Sequence, residues 1–301
     1  MSISKDELEA LRIEARNFGI DLSQVPIVGG SYFGDWDSIF SGRGMEMTEI
    51  REFKPGDSIE NIDPILSAKK RKPMVVDRVE TRELRALVVY DFSRSMFLRD
   101  KIRSSFAAAS IVVFSTLNQS IATGLWGLAG NYEIVQQLGV GSDQYRRAIS
   151  LMEDVICDFK KSRTKRLSLS YWQEALPIGS FIFIISDFLG DDSFFTRLLD
   201  SYFQDYIVVP IVVQDELEYT FPDIAQRGRE LVFTDVSTGA HSGISLGRKN
   251  IGRIRAEHEE RFSRLRARLE SKALRFAHVS EFDFSKIRKE LQGVLSKPYV
   301  R

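Results

Sequence analysis

Apolar and polar residues alternate along this chain with a period that changes from region to region. Over residues 5–18, Leu8, Leu11, Ile13, Ala15 and Phe18 fall roughly on one face between charged positions, which predicts a short amphipathic helix. A glycine- and serine-rich stretch over 28–44 reads as an irregular loop pinned by Phe33, Trp36 and Phe40. Extended patterns follow at 45–53 and 74–79, with the turn signal Pro55-Gly56-Asp57 between them. At Leu84 the run LRALVVYD is almost continuously apolar and ends on an acid, as expected of a strand buried on both faces of a parallel sheet.

From there strands and helices alternate. A helix is predicted over 101–117, strands at IATGLWGL and YEIVQQ, a helix over 143–161, the strand SFIFIISD, a helix over 193–203 and the strand YIVVPIVV. RELVFTDV and SGISL are spaced as a hairpin around Ser237-Thr238-Gly239, and a long helix over 249–272 carries Ile251, Ile254, Phe262, Leu265 and Leu269 on one stripe. RFAHVS and a helix over 284–295 close the chain. This alternation predicts an α/β fold, doubly wound, with a mostly parallel sheet and helices on both faces. Residues 84–301 form that domain, and residues 1–83 are expected to form an N-terminal helix, loop and strand-containing module.

Composition narrows the function. With 301 residues and 43% hydrophobic content the chain is long enough for a large core and an appendage. Lys plus Arg and Asp plus Glu both total 42, so no net field draws in nucleic acid or anionic lipid. Lys69, Lys70, Arg71 and Lys72 then read as a solvated loop, and the basic helix over 248–275 as an ordinary exposed face. Cys157, the one cysteine, excludes an intrachain disulfide and reads as a small core residue near a helix end. His241, His258 and His278 are scattered, and His258 reads as a packed edge residue. The N-terminus lacks the apolar core of a signal peptide and no apolar run reaches 18 residues, so a cytoplasmic protein that does not span a membrane is expected.

Chemistry concentrates where strands end. Ligands of an open parallel sheet gather at the carboxyl ends of its strands, and Asp91 stands at such an end, followed by Ser93 and Ser95 within one turn. One carboxylate and two hydroxyls are hard oxygen donors, suited to Mg2+, with Mn2+ or Ca2+ as alternatives, and ill suited to zinc or copper. SFIFIISD ends in the same way at Asp187, so two central neighbouring strands would bring both acids to one crevice. An aspartate ending a strand also serves simply as a helix cap, and that reading stands beside the metal reading for both.

The Asp-x-Ser-x-Ser loop after a hydrophobic strand resembles the metal-ion-dependent adhesion site of von Willebrand factor A and integrin inserted domains. Upstream, GRGMEMTEIREFKPGDSIENID and VVDRVETRELRALVVYDFSRSM are similar to the bacterial family catalogued as domain of unknown function number fifty-eight, whose members are often encoded beside MoxR-type AAA+ ATPases. The resemblance covers roughly residues 42–301. It implies a von Willebrand factor A-like fold, with Asp91, Ser93 and Ser95 as first-loop metal ligands and Asp187 as the late-strand acid. The chain departs from the pattern in having Pro64 where the family has tryptophan after Ile62-Asp63, and in lacking the membrane helices with which many relatives begin. The middle-loop threonine has no clear counterpart among Thr164, Ser168 and Ser170. Arg51 and Asp57 are either a structural ion pair or part of a partner-binding surface.

The function these readings imply is a metal-dependent, chaperone-like protein-interaction module without catalytic activity, an adaptor between a MoxR-type ATPase and a client protein in assembly or maturation. The competing class is a magnesium-dependent phosphoryl-transfer hydrolase of haloacid dehalogenase type, which also uses a strand-end aspartate. That chemistry needs an acid two residues further on, where this chain has Ser93.

Overall fold

The computed structural model describes residues 3–23, 27–28, 46–54, 57, 62–79, 84–129, 132–157, 172, 174–189, 194–202, 205–219, 230–234, 241–245, 248–272, 274–296 and 299–300. The aromatic-pinned loop over 28–44, all but Val28, and the three middle-loop candidates Thr164, Ser168 and Ser170 lie outside these residues. The chain divides into two compact units, one formed by Met1–Val28 with Arg85–Arg301 and the other by Gly29–Leu84.

In the smaller unit, β2 (Glu46–Glu52) pairs antiparallel with β3 (Met74–Val79), and α2 (Pro64–Lys70) lies between them in sequence. Asp63 caps α2, its Oδ1 accepting from the amides of Ile65 and Leu66 at 2.9 Å each. Pro64 takes the first helical position, where its missing N–H costs nothing. Arg51 grips Asp57 with both guanidinium arms, at 2.7 and 3.0 Å, and the Lys54 amide also donates to Asp57 at 2.8 Å. These donors hold the Asp57 carboxyl down at about 2, the guanidinium contributing most.

The larger unit is built on a six-stranded sheet, ordered β11 (Ala277–Val279), β8 (Ile207–Val213), β7 (Phe181–Ser186), β4 (Arg85–Asp91), β5 (Ala122–Ala129) and β6 (Tyr132–Gly139). All neighbours run parallel except β5 and β6. The chain leaves β4 for β5 on one side and later returns to β7 on the other. The order therefore reverses between β4 and β7, and a crevice opens at the carboxyl ends of those two strands. β1 (Ile27–Val28) and β12 (Tyr299–Val300) pair separately, as do β9 (Glu230–Thr234) and β10 (His241–Ser245) in the expected hairpin.

Strand alternation sorts the core into two layers. Leu87, Val89, Ile182, Ile184 and Val208 point to one face, packed with Trp126, Trp172, residues of α5 (Phe194–Tyr202), and Leu265 and Leu269 of α7 (Arg248–Ser271). On the other face lies α3 (Lys101–Asn118), almost wholly buried, with the hydroxyls of Ser105, Ser115 and Thr116 hydrogen-bonded back to its own carbonyls. Tyr90 reaches α3 through a 2.6 Å hydrogen bond between its hydroxyl and that of Ser105. Against α3 pack α4 (Gly141–Cys157), α8 (Phe284–Leu295) and α1 (Lys5–Ala15).

That last contact corrects the expected grouping of residues 1–83. The stripe of α1 (Leu8, Leu11 and Ala15) is buried within the sheet-containing unit, and the Ile20 amide donates to Ser115 Oγ at 2.9 Å while Gln119 Nε2 donates to the Ile20 carbonyl at 2.8 Å. A helix buried on so many sides presents more surface than the sheet alone covers, and the N-terminal segment closes part of it. Cys157 is also corrected: it is exposed at the end of α4, whose inward face is carried by Ala148, Ile149, Met152, Val155 and Ile156.

Close packing beneath the crevice leaves one position with no room to spare. A Cβ on Gly127 of β5 would lie 2.5 Å from Phe92 Cε2 and 3.3 Å from Ile134 Cβ, and Phe92 belongs to the loop that follows β4. Gly127→Ala is expected to push that buried ring outward and destabilise the protein by about 1–3 kcal/mol. Urea denaturation measures this, and an unchanged midpoint would show that the ring moves freely.

Candidate metal centre

The loop after β4 is shaped by its own side chains. Asp91 Oδ1 accepts from the Ser93 amide at 2.7 Å, turning the chain sharply, and the Phe92 amide remains on the Leu128 carbonyl at 2.7 Å. A single 3-10 turn over Arg94–Phe97 follows, and α3 begins only at Lys101. Asp91 is thus not the cap of α3. Ser93 and Ser95 are half-buried, their hydroxyl oxygens 3.0 Å apart.

β7 delivers the second acid. Its register with β4 pairs Tyr90 with Ile185, so Ser186 stands opposite Asp91 and donates its hydroxyl to Asp91 Oδ2 at 2.7 Å. One residue on, Asp187 Oδ1 accepts from the Leu189 amide at 3.2 Å. The turn requires Phe188 in the left-handed backbone region (φ 49°), which costs about 1–3 kcal/mol and is offset by burying its ring against Phe195. Gln214, at the end of β8, donates its Nε2 to the Asp187 carbonyl at 2.6 Å; its Oε1 is buried with no hydrogen-bond partner among the described residues.

Four candidates therefore meet at one edge of the sheet: Asp91, Ser93, Ser95 and Asp187. Arg51 and Asp57 lie in the other compact unit, engaged with each other. The sequence reading missed three contributors: Ser186, Gln214 and Lys101. Lys101 is the first residue of α3, its side chain 2% exposed, and it donates to Asp187 Oδ2 at 3.1 Å and Glu218 Oε1 at 2.5 Å. A signal was present in the sequence. A helix N-terminus carries partial positive charge, so a lysine at that position needs acids to hold it, although the neighbouring Arg99, Asp100 and Arg103 give it the look of an ordinary exposed residue.

Asp91 is 3% exposed and has no ion-pair partner among the described residues. Burial, with the nearby Asp187 charge adding to it, raises its pKa to about 6 against the opposing pull of the Ser186 and Ser93 donors. A carboxylate so placed gains from a cation. The adjoining hydroxyls fit one: oxygens on neighbouring vertices of an octahedral Mg2+ shell lie ~3 Å apart, the spacing of the Ser93 and Ser95 oxygens. Each Asp91 oxygen retains a lone pair beyond the hydrogen bond it accepts. Among the described residues no group of three or more acidic, histidine or cysteine side chains is placed to hold a metal ion.

The raised pKa makes stability depend on pH in a definite direction. Between about pH 4 and 6 the native state of the metal-free protein binds more protons than the unfolded chain, so stability falls as pH rises through that window and levels off above it. The loss amounts to about 2–3 kcal/mol. Denaturant titrations of chelator-treated protein should show this slope in the wild type and a shallower one in Asp91→Asn, where the carboxyls of Glu218 and Glu153, also raised by burial, remain; an equal slope in both would assign the titration to those groups.

The uncharacterized proteins Rv1480 of Mycobacterium tuberculosis and Mb1516 of Mycobacterium bovis are each 23% identical to the chain over 269 residues, covering 85% of it and 82% of each relative. The family described as "Protein of unknown function DUF58" matches residues 49–268, a span that includes β4, the loop after it, β7 and all four candidate metal residues. The chain belongs to that family.

Proposed function

We propose that the sheet-containing unit is a von Willebrand factor A-like domain that grips a protein partner through a divalent cation, Mg2+ foremost with Mn2+ or Ca2+ as alternatives. The observation that carries the reading is the buried carboxylate of Asp91, without an ion-pair partner among the described residues, beside two converging hydroxyls. Asp91, Ser93 and Ser95 would hold the ion, with Asp187 close enough to add its charge. When bound, the ion supplies a hard Lewis-acidic centre with coordination places left for a partner's carboxylate.

The chain's own residues set the conditions for that grip. Ser186 and the Ser93 amide orient the Asp91 carboxylate, so little conformational freedom is lost on binding. The Phe92 ring, wedged above Gly127, anchors the loop from below. Beyond the loop, Leu98 is 39% exposed and offers an apolar contact at the rim. A MoxR-type AAA+ ATPase and a client protein are the proposed partners, in the cytoplasm, with the chain acting as adaptor rather than enzyme. Among the described residues no helix is long and apolar enough to cross a membrane, in keeping with this placement.

Magnesium at ten times its dissociation constant should stabilise the chelator-treated protein by about 1.4 kcal/mol, a rise in Tm of roughly 3–6 °C. Asp91→Asn should lose that rise. It should also lose a MoxR-type ATPase that co-purifies with the wild type in magnesium and is released by chelator. A variant that keeps both the thermal shift and the chelator-sensitive partner would overturn the reading.

A further inference from the structure

The best-shielded cation in the crevice belongs to the chain itself. Lys101 Nζ, on a side chain 2% exposed, reaches Asp187 Oδ2 at 3.1 Å and Glu218 Oε1 at 2.5 Å. Glu218 is in turn fixed by a hydrogen bond from the Asp215 amide to its Oε2 at 3.0 Å. It lies on α6 (Glu216–Tyr219), whose Tyr219 packs against Phe262 of α7 and His278 of β11. The ammonium is thus clamped between the carboxyl end of β7 and a short helix that is itself pinned in place.

We infer that Lys101 is a tethered competitor for the divalent cation: it holds the Asp187 carboxylate in an ion pair and thereby sets the affinity of the centre for a metal. This rests on the cation-binding reading above and adds a residue and a direction to it. Two facts of the crevice make the case. Asp187 has both oxygens engaged, one by Lys101 and one by the Leu189 amide, whereas Asp91 accepts only neutral donors. And Lys101 is bonded to both Asp187 and Glu218, so any charge entering near Asp187 meets a fixed positive charge that cannot retreat to solvent. At the separation of neighbouring side chains in a partly buried crevice, one unit charge acting on another changes binding by more than a factor of ten.

The test measures binding of Mn2+ or Mg2+ to the full chain by titration calorimetry, with the metal-induced rise in Tm as a second readout. Lys101→Met keeps the length of the side chain and removes its charge. It should bind the ion at least tenfold more tightly than wild type and, free of metal, should melt lower because Asp187 and Glu218 lose their partner. Arg99 is the control: it is an exposed cation on the same rim, 3.3 Å from Asp215, and Arg99→Gln should change metal affinity less than twofold.

A wild type that binds the ion while Lys101→Met binds it no better overturns the role of Lys101 and leaves the metal centre standing. Failure of both proteins to bind overturns the metal centre and this inference with it. Binding by Lys101→Met alone establishes Lys101 as the stand-in cation and removes the ion from the wild type. Should Lys101→Met not fold, Glu218→Gln takes its place: with one of its two acids neutralised, Lys101 is thrown more fully onto Asp187. The ion should then bind several-fold more weakly, and unchanged affinity overturns the inference.

Discussion

The burial of Asp91 with no ion-pair partner among the described side chains is the constraint on which the candidate site depends. A carboxylate withdrawn from water loses several kcal/mol of hydration unless polar groups replace it. Here the replacements come from two places: the Ser93 amide, supplied by the tight turn after β4, and the Ser186 hydroxyl, supplied by the neighbouring strand. Neither carries charge, so the substitution is incomplete and the group stays basic for an aspartate. Such a residue is tolerated because the strand behind it is buried from Ala86 onward and locked on both sides into parallel ladders.

The sheet order is what makes the compensation possible. Had β7 joined the far edge of the sheet, Ser186 and Asp187 would be distant from Asp91. Because β7 lies beside β4, the register that pairs Tyr90 with Ile185 carries the next residues, Asp91 and Ser186, into contact. The same adjacency brings the first turn of α3 over the end of β7, so that Lys101 meets Asp187. A buried lysine at a helix N-terminus opposes the helix dipole. Its two carboxylate partners offset that cost, and breaking the triad would leave buried acids unpaired.

These relations differ in how far they can be read from sequence. The strands were legible because burial on both faces leaves an almost unbroken apolar run, and Asp91 and Asp187 were legible because each ends such a run. Ser93 and Ser95 followed from their spacing. Periodicity says which face of a helix is apolar but not what will cover it, and so the helix at residues 5–15 was grouped with the wrong unit. Lys101 was hidden for a similar reason: beside Arg103 at the start of a helix it looks like one of two ordinary basic residues, and its partners Asp187 and Glu218 lie 86 and 117 positions away. Ser186 reads in the sequence as part of an apolar strand, although a hydroxyl one residue before a strand-end acid is the kind of group a buried neighbour needs. Cys157 was misjudged by one step of helical phase, since Ile156 turns inward and the next residue does not.

Charge balance gives the arrangement its direction. Asp187 and Glu218 share the single ammonium of Lys101, Asp91 lies near Asp187 with no ion-pair partner among the described residues, and the nearby Asp215 is matched by Arg99. With all of them ionised the crevice carries two negative charges in excess, equal in size to the charge of one divalent cation. Neutralising the excess by protons instead would require Asp91 and a second acid to stay protonated at neutral pH. The pKa of Asp91, raised to about 6, lies too low for that. Folding alone therefore leaves this crevice short of positive charge at pH 7, and under the proposed function a partner or ion that brought it would be attracted the more strongly because the low-dielectric surroundings screen so little.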